Sequence, residues 1–536
     1  MNPETFFDNF GLLADTPNGV QKLRVLILQL AFKGKLVNNR QKRNMADHGE
    51  DLLTGWQQRT IGDLSKVIMP GFACNKSFQM SDGHVHLRTH NIDTNGKLNF
   101  DLLVKIDHKK VDMKKAQIHK GDIIFNNTNS QELVGKTCIV DQNYFYGFSN
   151  HLTLIKVIDE VEPAYIVYYF NLLLHIGYFA ELCNRWIGQA GINTKMLKSV
   201  LIPLPPLEEQ KRIVAKADKL MALCDELEAR QQKKQEARLH LNSASLDKLL
   251  TAHEPDEFAH HWQRICDNFD LLCGAPETVG ELRKAILQLA VQGKLVPQDP
   301  NDEPAAALLE KIKAEKARLV KGGKIRKSKP LPPVKMDEIL FEIPDSWKWI
   351  RLNQIGDWGA GATPNRKKSE YYGGSIRWLK SGELRDEYVS ESDEKITESA
   401  LKDCSLRVNK CGDVLIAMYG ATIGKVAILE VEATTNQAVC ACTCFAGFYN
   451  RYLFLLLRAY RQHFLNQGAG GAQPNISRIK IINTVAPLPP LTEQRRIVAK
   501  VDQLMALCDE LETKLKQSQT DGANLMEAMV GELIGA

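Results

Sequence analysis

The chain has 536 residues, 44% apolar and 25% charged, with 69 Lys and Arg against 64 Asp and Glu for a formal charge of +5. That composition is ordinary globular material and excludes both wholesale disorder and a collagen-like fibre; at roughly 100–200 residues per domain the length suggests three or four units. The longest apolar runs, residues 25–32 and 164–179 (the latter holding Asn171 and His175), fall short of the roughly 20 residues of a membrane span. The opening MNPETFFD has no basic run of the kind that starts a secretory signal. Twelve cysteines scattered among large elements favour a reducing compartment, so a cytoplasmic protein without membrane contact is expected.

Taken in chain order, residues 1–58 are a helical region built around LRVLILQLAFKGKLV at 23–37. Residues 59–202 read as a globule of short β-like runs between Gly and Asn. Gly121-Asp122 opens an apolar strand, residues 126–131 (NNTNSQ) form a polar loop, Gly135-Lys136-Thr137 leads into another apolar strand, and a Gly-rich stretch lies at 188–195. Residues 203–304 begin with PLPPL, which cannot continue a helix from upstream and pre-sets the first turn of a new one. Ile213, Leu220 and Leu227, with Ala217, Met221 and Cys224, then recur at three- and four-residue steps. This pattern runs to about Leu250, a helix of about 40 residues and roughly 60 Å.

The same region contains LRKAILQLAVQGKLV at 282–296, identical to 23–37 at 11 of 15 positions. Residues 305–346 are expected to be a charged helix and a basic, Pro-terminated linker, too charged to enter a core. Residues 347–486 form a second globule with matching punctuation: Gly412-Asp413 before an apolar strand, Gly424-Lys425 before the next, and a Gly-rich stretch at 468–477. Residues 487–536 are a last helix with Ile497, Leu504 and Leu511 on its stripe. Its first 26 residues, 487–512, match 203–228 at 22 positions.

The chain is thus a tandem duplication, and missing that would mis-assign the whole architecture. The expected fold is α+β: two globular α/β domains separated by an antiparallel helical coiled coil or bundle, in a pseudo-twofold relation. The charge follows this plan. Both globules are basic, +3 over 59–202 and +5 over 347–486; the linker 310–335 carries +8, and the duplicated helical regions are mostly acidic.

The globules are rich in side chains that suit nucleic acid, since Arg and Lys match guanine edges and phosphates while Asn and Gln match adenine. In the first these are Arg88, Asn91, Asn126, Asn127, Asn129, Lys136 and Lys195. In the second they are Arg377, Lys380, Ser381, Tyr419, Lys425, Gln473 and Asn475. Asn-rich loops also commonly satisfy their own backbone. Lys136 and Lys425, at matching places beside Gly turns, either contact a DNA backbone or anchor a reading loop.

The duplicated PLPPL-x-EQ-x-RIVAK-x-D-x-LMALCDELE block, the LR-x-x-ILQLA-x-x-GKLV block and the GD…GK punctuation of both globules resemble the specificity (S) subunits of Type I DNA restriction-modification enzymes, over nearly the whole chain. The resemblance implies that each globule is a target-recognition domain reading one half of a split DNA sequence. The helices, with Ile213, Leu220, Leu227, Ile497, Leu504 and Leu511, would then form the spacer and the docking surface for two methyltransferase (M) subunits. It further implies double-stranded DNA and ATP-driven restriction (R) subunits as partners. S-adenosylmethionine, ATP and Mg would be used by the partner subunits and no cofactor by this chain. The insert at 305–335 departs from that pattern.

Catalytic motifs are missing. No Asn/Asp-Pro-Pro-aromatic loop of an adenine methyltransferase occurs. The nearest approach to a phosphate-binding GxxxxGK[ST] loop is Gly135-Lys136-Thr137, with Ser130 where the first glycine belongs. Cys440, Cys442 and Cys444 share one strand face without the spacing of a zinc site, so no metal is expected. A non-catalytic subunit is expected; a coiled-coil scaffold whose globules bind protein is the alternative, separable by the salt dependence of DNA binding.

Overall fold

The computed structural model describes residues 18–37, 43–45, 51–53, 55–327, 332–468 and 475–535; residues 8–10, which extend the repeat, and Gln473 lie outside them. The chain divides into two compact units, residues 1–234 with 518–536 and residues 235–517.

In the first unit α1 (Gly19–Phe32) turns Leu23, Leu26, Ile27 and Leu30 inward, the three- and four-residue spacing that puts one helix face into a core. The globule follows as β1 (Gln57–Thr60), β2 (Ser65–Pro70), β3 (Gln79–Leu87), β4 (Ile123–Asn126), β5 (Thr137–Ile139), β6 (Gly147–Phe148), β7 (Leu152–Val157), α2 (Pro163–His175) and β8 (Leu201–Leu204). An antiparallel sheet runs in the order β2-β7-β4-β5. β6 lies parallel on β3, and β8 returns to pair with β1, Leu201 opposite Thr60 and Leu204 opposite Gln57. The chain then enters α3 (Leu207–Thr251), 45 residues long.

The second unit repeats this plan. After α4 (Pro276–Val291) and α5 (Ala305–Lys321) come β9 (Lys348–Arg351), β10 (Gly356–Ala360), β11 (Tyr372–Leu379), β12 (Val414–Ala417), β13 (Val426–Leu429), β14 (Thr434–Thr435), β15 (Val439–Cys444), α6 (Asn450–Ala459), α7 (Arg478–Asn483), β16 (Val485–Leu488) and α8 (Leu491–Gly535). The sheet order is β10-β15-β12-β13, with strand Glu387–Val389 added in parallel on β13. β14 lies parallel on β11, and β16 pairs with β9. Apart from that added strand, the sheet order, the parallel pair and the closing pair are those of the first globule. Cys440 and Cys442 face the core, where burial pushes the Cys440 thiol up to about 12 and the Cys442 thiol up as well; buried, protonated thiols behave as small hydrophobes.

Each unit takes the beginning of one long helix and the end of the other. Ile213, Leu220 and, near the end of α8, Met526 are buried in one cluster with α1, with Leu227 packed against it. Ile497 is buried in the second unit, with Leu504 and Leu511 packed on the same cluster, and Leu511 also meets Leu246 and Leu249 of α3. That exchange is the antiparallel order. It also divides the six stripe residues: Ile213, Leu220 and Ile497 are buried and seat each long helix on its own unit, as a spacer residue would, because the stripe is the apolar face available to α1 or α4, while Leu227, Leu504 and Leu511 are half-buried beside them. In the repeated LMALCDELE block it is Leu223 and Leu507 that stay outside, at 49% and 52% exposed.

Candidate nucleic-acid interface

The GD and GK punctuation builds the same frame twice. The Gly121 amide donates to the Val140 carbonyl and the Gly412 amide to Leu429, while the Asp122 and Asp413 carboxylates each take a backbone amide three residues upstream, from His119 and Lys410. At the other end of the hairpin, the Gly135 amide donates to the Asn126 carbonyl and that of Asn126 to Lys136; in the second domain Gly424, Ala417 and Lys425 make the same exchange. Gly135 and Gly424 sit at φ 97° and 76°, a left-handed backbone that favours glycine. The frame therefore holds one loop, residues 127–134 or 418–423, at the same place in each domain.

A second loop enters at matching positions. Arg88 follows β3 as Lys380 follows β11, and each donates its backbone amide to a side chain three residues on, Asn91 at 2.8 Å and Glu383 at 2.9 Å. Two candidates chosen only for charge, Arg88 and Lys380, thus occupy equivalent places, both half-buried. Ser381 opens the same turn as Thr89.

The other candidates divide into exposed and structural groups. Lys136 is 7% exposed, and its ammonium donates to the carbonyls of Thr89 at 2.9 Å and Ile92 at 2.5 Å, so it ties the GK turn to the Arg88 loop. Of its two expected roles the geometry favours the anchor, and an ammonium so engaged is not placed to meet a DNA or nucleotide phosphate. Asn91 is fully buried and bonds to the carbonyls of Asn99 and Leu102, and Asn126 is also fully buried; neither can present an amide to a base. The reason is turn chemistry: short amide side chains serve nearby backbone groups first. Asn127, half-buried, donates to Asn150 and Thr153, and Asn129 accepts the Ser130 amide. Lys195, Tyr419 and Asn475 are exposed, with Tyr419 and Asn475 bridged by backbone, and Lys425 is half-buried.

In the second domain the cations are already steered. Arg377 pairs with Glu391 at 2.9 Å, while Lys380 and Arg366 share Glu394 at 2.9 and 2.6 Å. Arg366 also lies over the rings of Tyr372 and Trp378. These glutamates orient planar and flexible cations, and a phosphate or base edge can displace them. Sequence reasoning missed the hairpin of strands Asn184–Trp186 and Gln189–Gly191, which pairs with Thr128–Asn129 and carries exposed Arg185, Trp186 and Ile187. Its signal was present: an Arg-Trp-Ile-Gly run is a costly thing to leave in water.

The duplicated Glu-Gln fixes each domain to its long helix. Buried Glu209 and Glu493 accept the indole N–H of Trp56 at 3.4 Å and of Trp347 at 2.9 Å. Gln210 and Gln494 accept, both at 2.9 Å, the backbone amides of Glu162 and Tyr449, which cap α2 and α6. Their own amides donate to Pro205 and Pro489 in the PLPPL leads. One dipeptide locks the entry strand, the main helix of the domain and the start of the long helix together. Burial pushes the Glu493 carboxyl up, opposed by hydrogen bonds from Trp347 and Gln298.

These paired, basic, non-identical surfaces on a repeated scaffold define a DNA-specificity class, and comparison with known proteins agrees. The family profile described as Type I restriction modification DNA specificity domain matches residues 54–237 and 344–518. The specificity subunits of the Type I restriction enzymes EcoAI and EcoEI of Escherichia coli are 30% and 27% identical, across 96% and 95% of this chain and 94% and 93% of theirs. A chain from a structure addressing "complex assembly" and "conformational transition of the type I R-M system" shares the fold, with a TM-score of 0.52 at 19% identity, covering 90% of this chain and 99% of that one. The chain therefore belongs to the Type I restriction-modification specificity subunits. Its role is DNA recognition, not catalysis. Among the described residues no helix is long and apolar enough to cross a membrane.

Proposed function

We infer that each globule reads one half of a bipartite, asymmetric site in double-stranded DNA and that the helical regions set the distance between halves, on the order of one helical turn, roughly 10 bp. Two methyltransferase subunits dock on the helical regions, where exposed Leu223 and Leu507 are the repeated apolar contacts. These partners use S-adenosylmethionine to methylate adenine, and restriction subunits using ATP and Mg translocate and cut. This chain supplies the address. DNA contact falls to Arg88, Asn127, Asn129, Lys195, Arg377, Lys380, Ser381, Tyr419, Gln473 and Asn475, with the Arg185–Trp186 hairpin added and Lys425 on the backbone.

The observation that carries this reading is the frame itself: one hairpin-and-loop scaffold built twice from different sequence, with different side chains held at the same positions. Exchanging residues 59–202 for those of another specificity subunit and mapping methylated adenines by single-molecule sequencing tests it. One half of the methylated sequence changes while the other half stays. An unchanged target after the exchange would overturn the reading.

A further inference from the structure

The basic linker is built into the second unit. Beyond the end of α5, exposed Lys324, Arg326 and Lys327 line one side of a cleft of about 920 Å³, whose other sides are β10 and α7. Lys316, Arg407 and Arg478 also line it. These three are fixed. The Lys316 ammonium donates to the Asn353 carbonyl at 3.0 Å, Arg407 to the Asp357 carbonyl at 3.1 Å and the Thr443 hydroxyl at 2.9 Å, and Arg478 to the Trp358 carbonyl at 3.1 Å.

The lining holds a single carboxylate, Asp357, already paired with Arg407 at 2.9 Å. The nearby Glu315 is committed to Arg318 at 2.7 Å. Six cations against one acid leave the cleft at +5. Burial pushes the Lys316 ammonium below its usual range, as expected for a cation held by a neutral carbonyl rather than an anion. Such a site attracts a polyanion.

We propose that this cleft grips the phosphodiester backbone of duplex DNA beside the half-site read by the second domain, a contact that rests on the DNA-reading role above. Its position supports that ligand. Arg478 begins α7 immediately after residues 475–477, where the Ile476 amide donates to Met418 and Asn475 bridges Tyr419 of the held loop. The cleft therefore continues the reading surface of the same domain. Its chemistry supports backbone rather than base contact: three of its cations sit on an exposed, irregular segment, which suits repeated phosphates better than the fixed geometry of a base edge. The offsets between the repeats, 259 before the insert and 284 after it, show that the 25 extra residues belong to the second copy alone.

The test is the salt dependence of DNA binding by the complex assembled with its methyltransferase subunits, on a duplex carrying its mapped target. Replacing Lys324, Arg326 and Lys327 together by Gln lowers affinity and flattens the slope of log K against log salt by roughly 3, because about 0.9 counterion is released per phosphate contact. The methylated sequence stays the same. Lys284, Lys311 and Lys313 changed together to Gln remove the same charge from α4 and α5, where each already pairs with a glutamate; that variant changes the slope by less than about 1.

Equal slopes for the two variants, an unchanged slope in the first, or an altered target sequence would overturn the proposal. So would failure of the first variant to assemble with the methyltransferase subunits while its own DNA slope is unchanged, which would make the cleft a protein contact. A wild-type complex that methylates no split sequence overturns the DNA-reading role itself. A wild-type complex that does so, with an unaffected variant, overturns only the cleft.

Discussion

The two reading domains share a ladder and differ in how they close it. In the first, buried Lys136 reaches from the GK turn to the carbonyls of Thr89 and Ile92. In the second, the equivalent Lys425 is half-buried, and the closure passes to Asp386, which takes the Val426 amide and pairs with Arg461. At the next position along, His86 in β3 packs where Trp378 stands in β11: each precedes a buried leucine, and each pairs in parallel with β6 or β14. Apolar strands and positive-φ turns are common to both, whereas the polar closures are interchangeable. That is why two domains with little identity hold loops at the same places and still present different chemistry.

The largest test of this contrast is Lys136→Ala. It strands two buried carbonyls and opens a cavity, and costs about 3 kcal/mol; Lys425→Ala stays within about 0.5 kcal/mol while weakening DNA binding. Hydrogen exchange of the β4–β5 and β12–β13 amides reads the two separately. Equal losses would erase the distinction between anchor and contact.

Next comes acid. Burial lowers His86 from its ordinary 6.5 to about 4, and its Nε2 donates to the Phe72 carbonyl. Because the unfolded chain binds the proton first, stability is complete above about 6.5 and is lost as pH falls towards 4, by about 3 kcal/mol over the full window. Trp378 gives the second domain no such term. Exchange rates followed from pH 7 to 4 should rise first in β3, and His86→Phe should shrink the effect to what His84 in the same strand, also lowered by burial, contributes.

A smaller difference separates the two Glu-Gln joints. Trp347→Phe forfeits a 2.9 Å hydrogen bond to a buried carboxylate and costs about 1–2 kcal/mol, whereas Trp56→Phe forfeits one of 3.4 Å and costs roughly 0.5 kcal/mol. Denaturant melts of the two variants compare them, and a reversed order breaks the assignment. Least of all in stability, below about 1 kcal/mol, is Glu394→Gln, which releases Arg366 and Lys380. Its readout is tighter DNA binding at low salt, with no counterpart change from the first domain.

The duplication, the two long helices and the paired hairpins were legible because each rests on local rules: three- and four-residue apolar steps, Pro-rich starts, and glycines beside apolar runs. The helix from Leu207 ends at Thr251, one residue beyond the Leu250 read from its stripe. The site was only partly legible. Arg88 and Lys380 were each picked out by residue type, their equivalence showing only in the fold, and nothing local distinguishes a solvent-facing Asn from Asn91, whose amide serves carbonyls eight and eleven residues away. Lys136 was caught between two roles because its burial depends on the Arg88 loop, some 45 residues upstream. The stripe on the long helices was read correctly as apolar and as meeting the other long helix, Leu511 on Leu246 and Leu249, but the globule helices that share it were not foreseen.

Between residues 228 and 241 of α3 no side chain is buried, so helix propensity and surface contacts hold that stretch rather than a core. Substitutions there that keep the helix remove no buried side chain and cost about as little as surface changes do. Insertions cost more, because each added residue turns everything beyond it by about 100° and advances it about 1.5 Å. Leu227 on one side and Leu246 on the other keep a common phase only when the added length is close to whole turns. The middle of the helix therefore behaves as a ruler with discrete graduations, open in sequence but quantised in length.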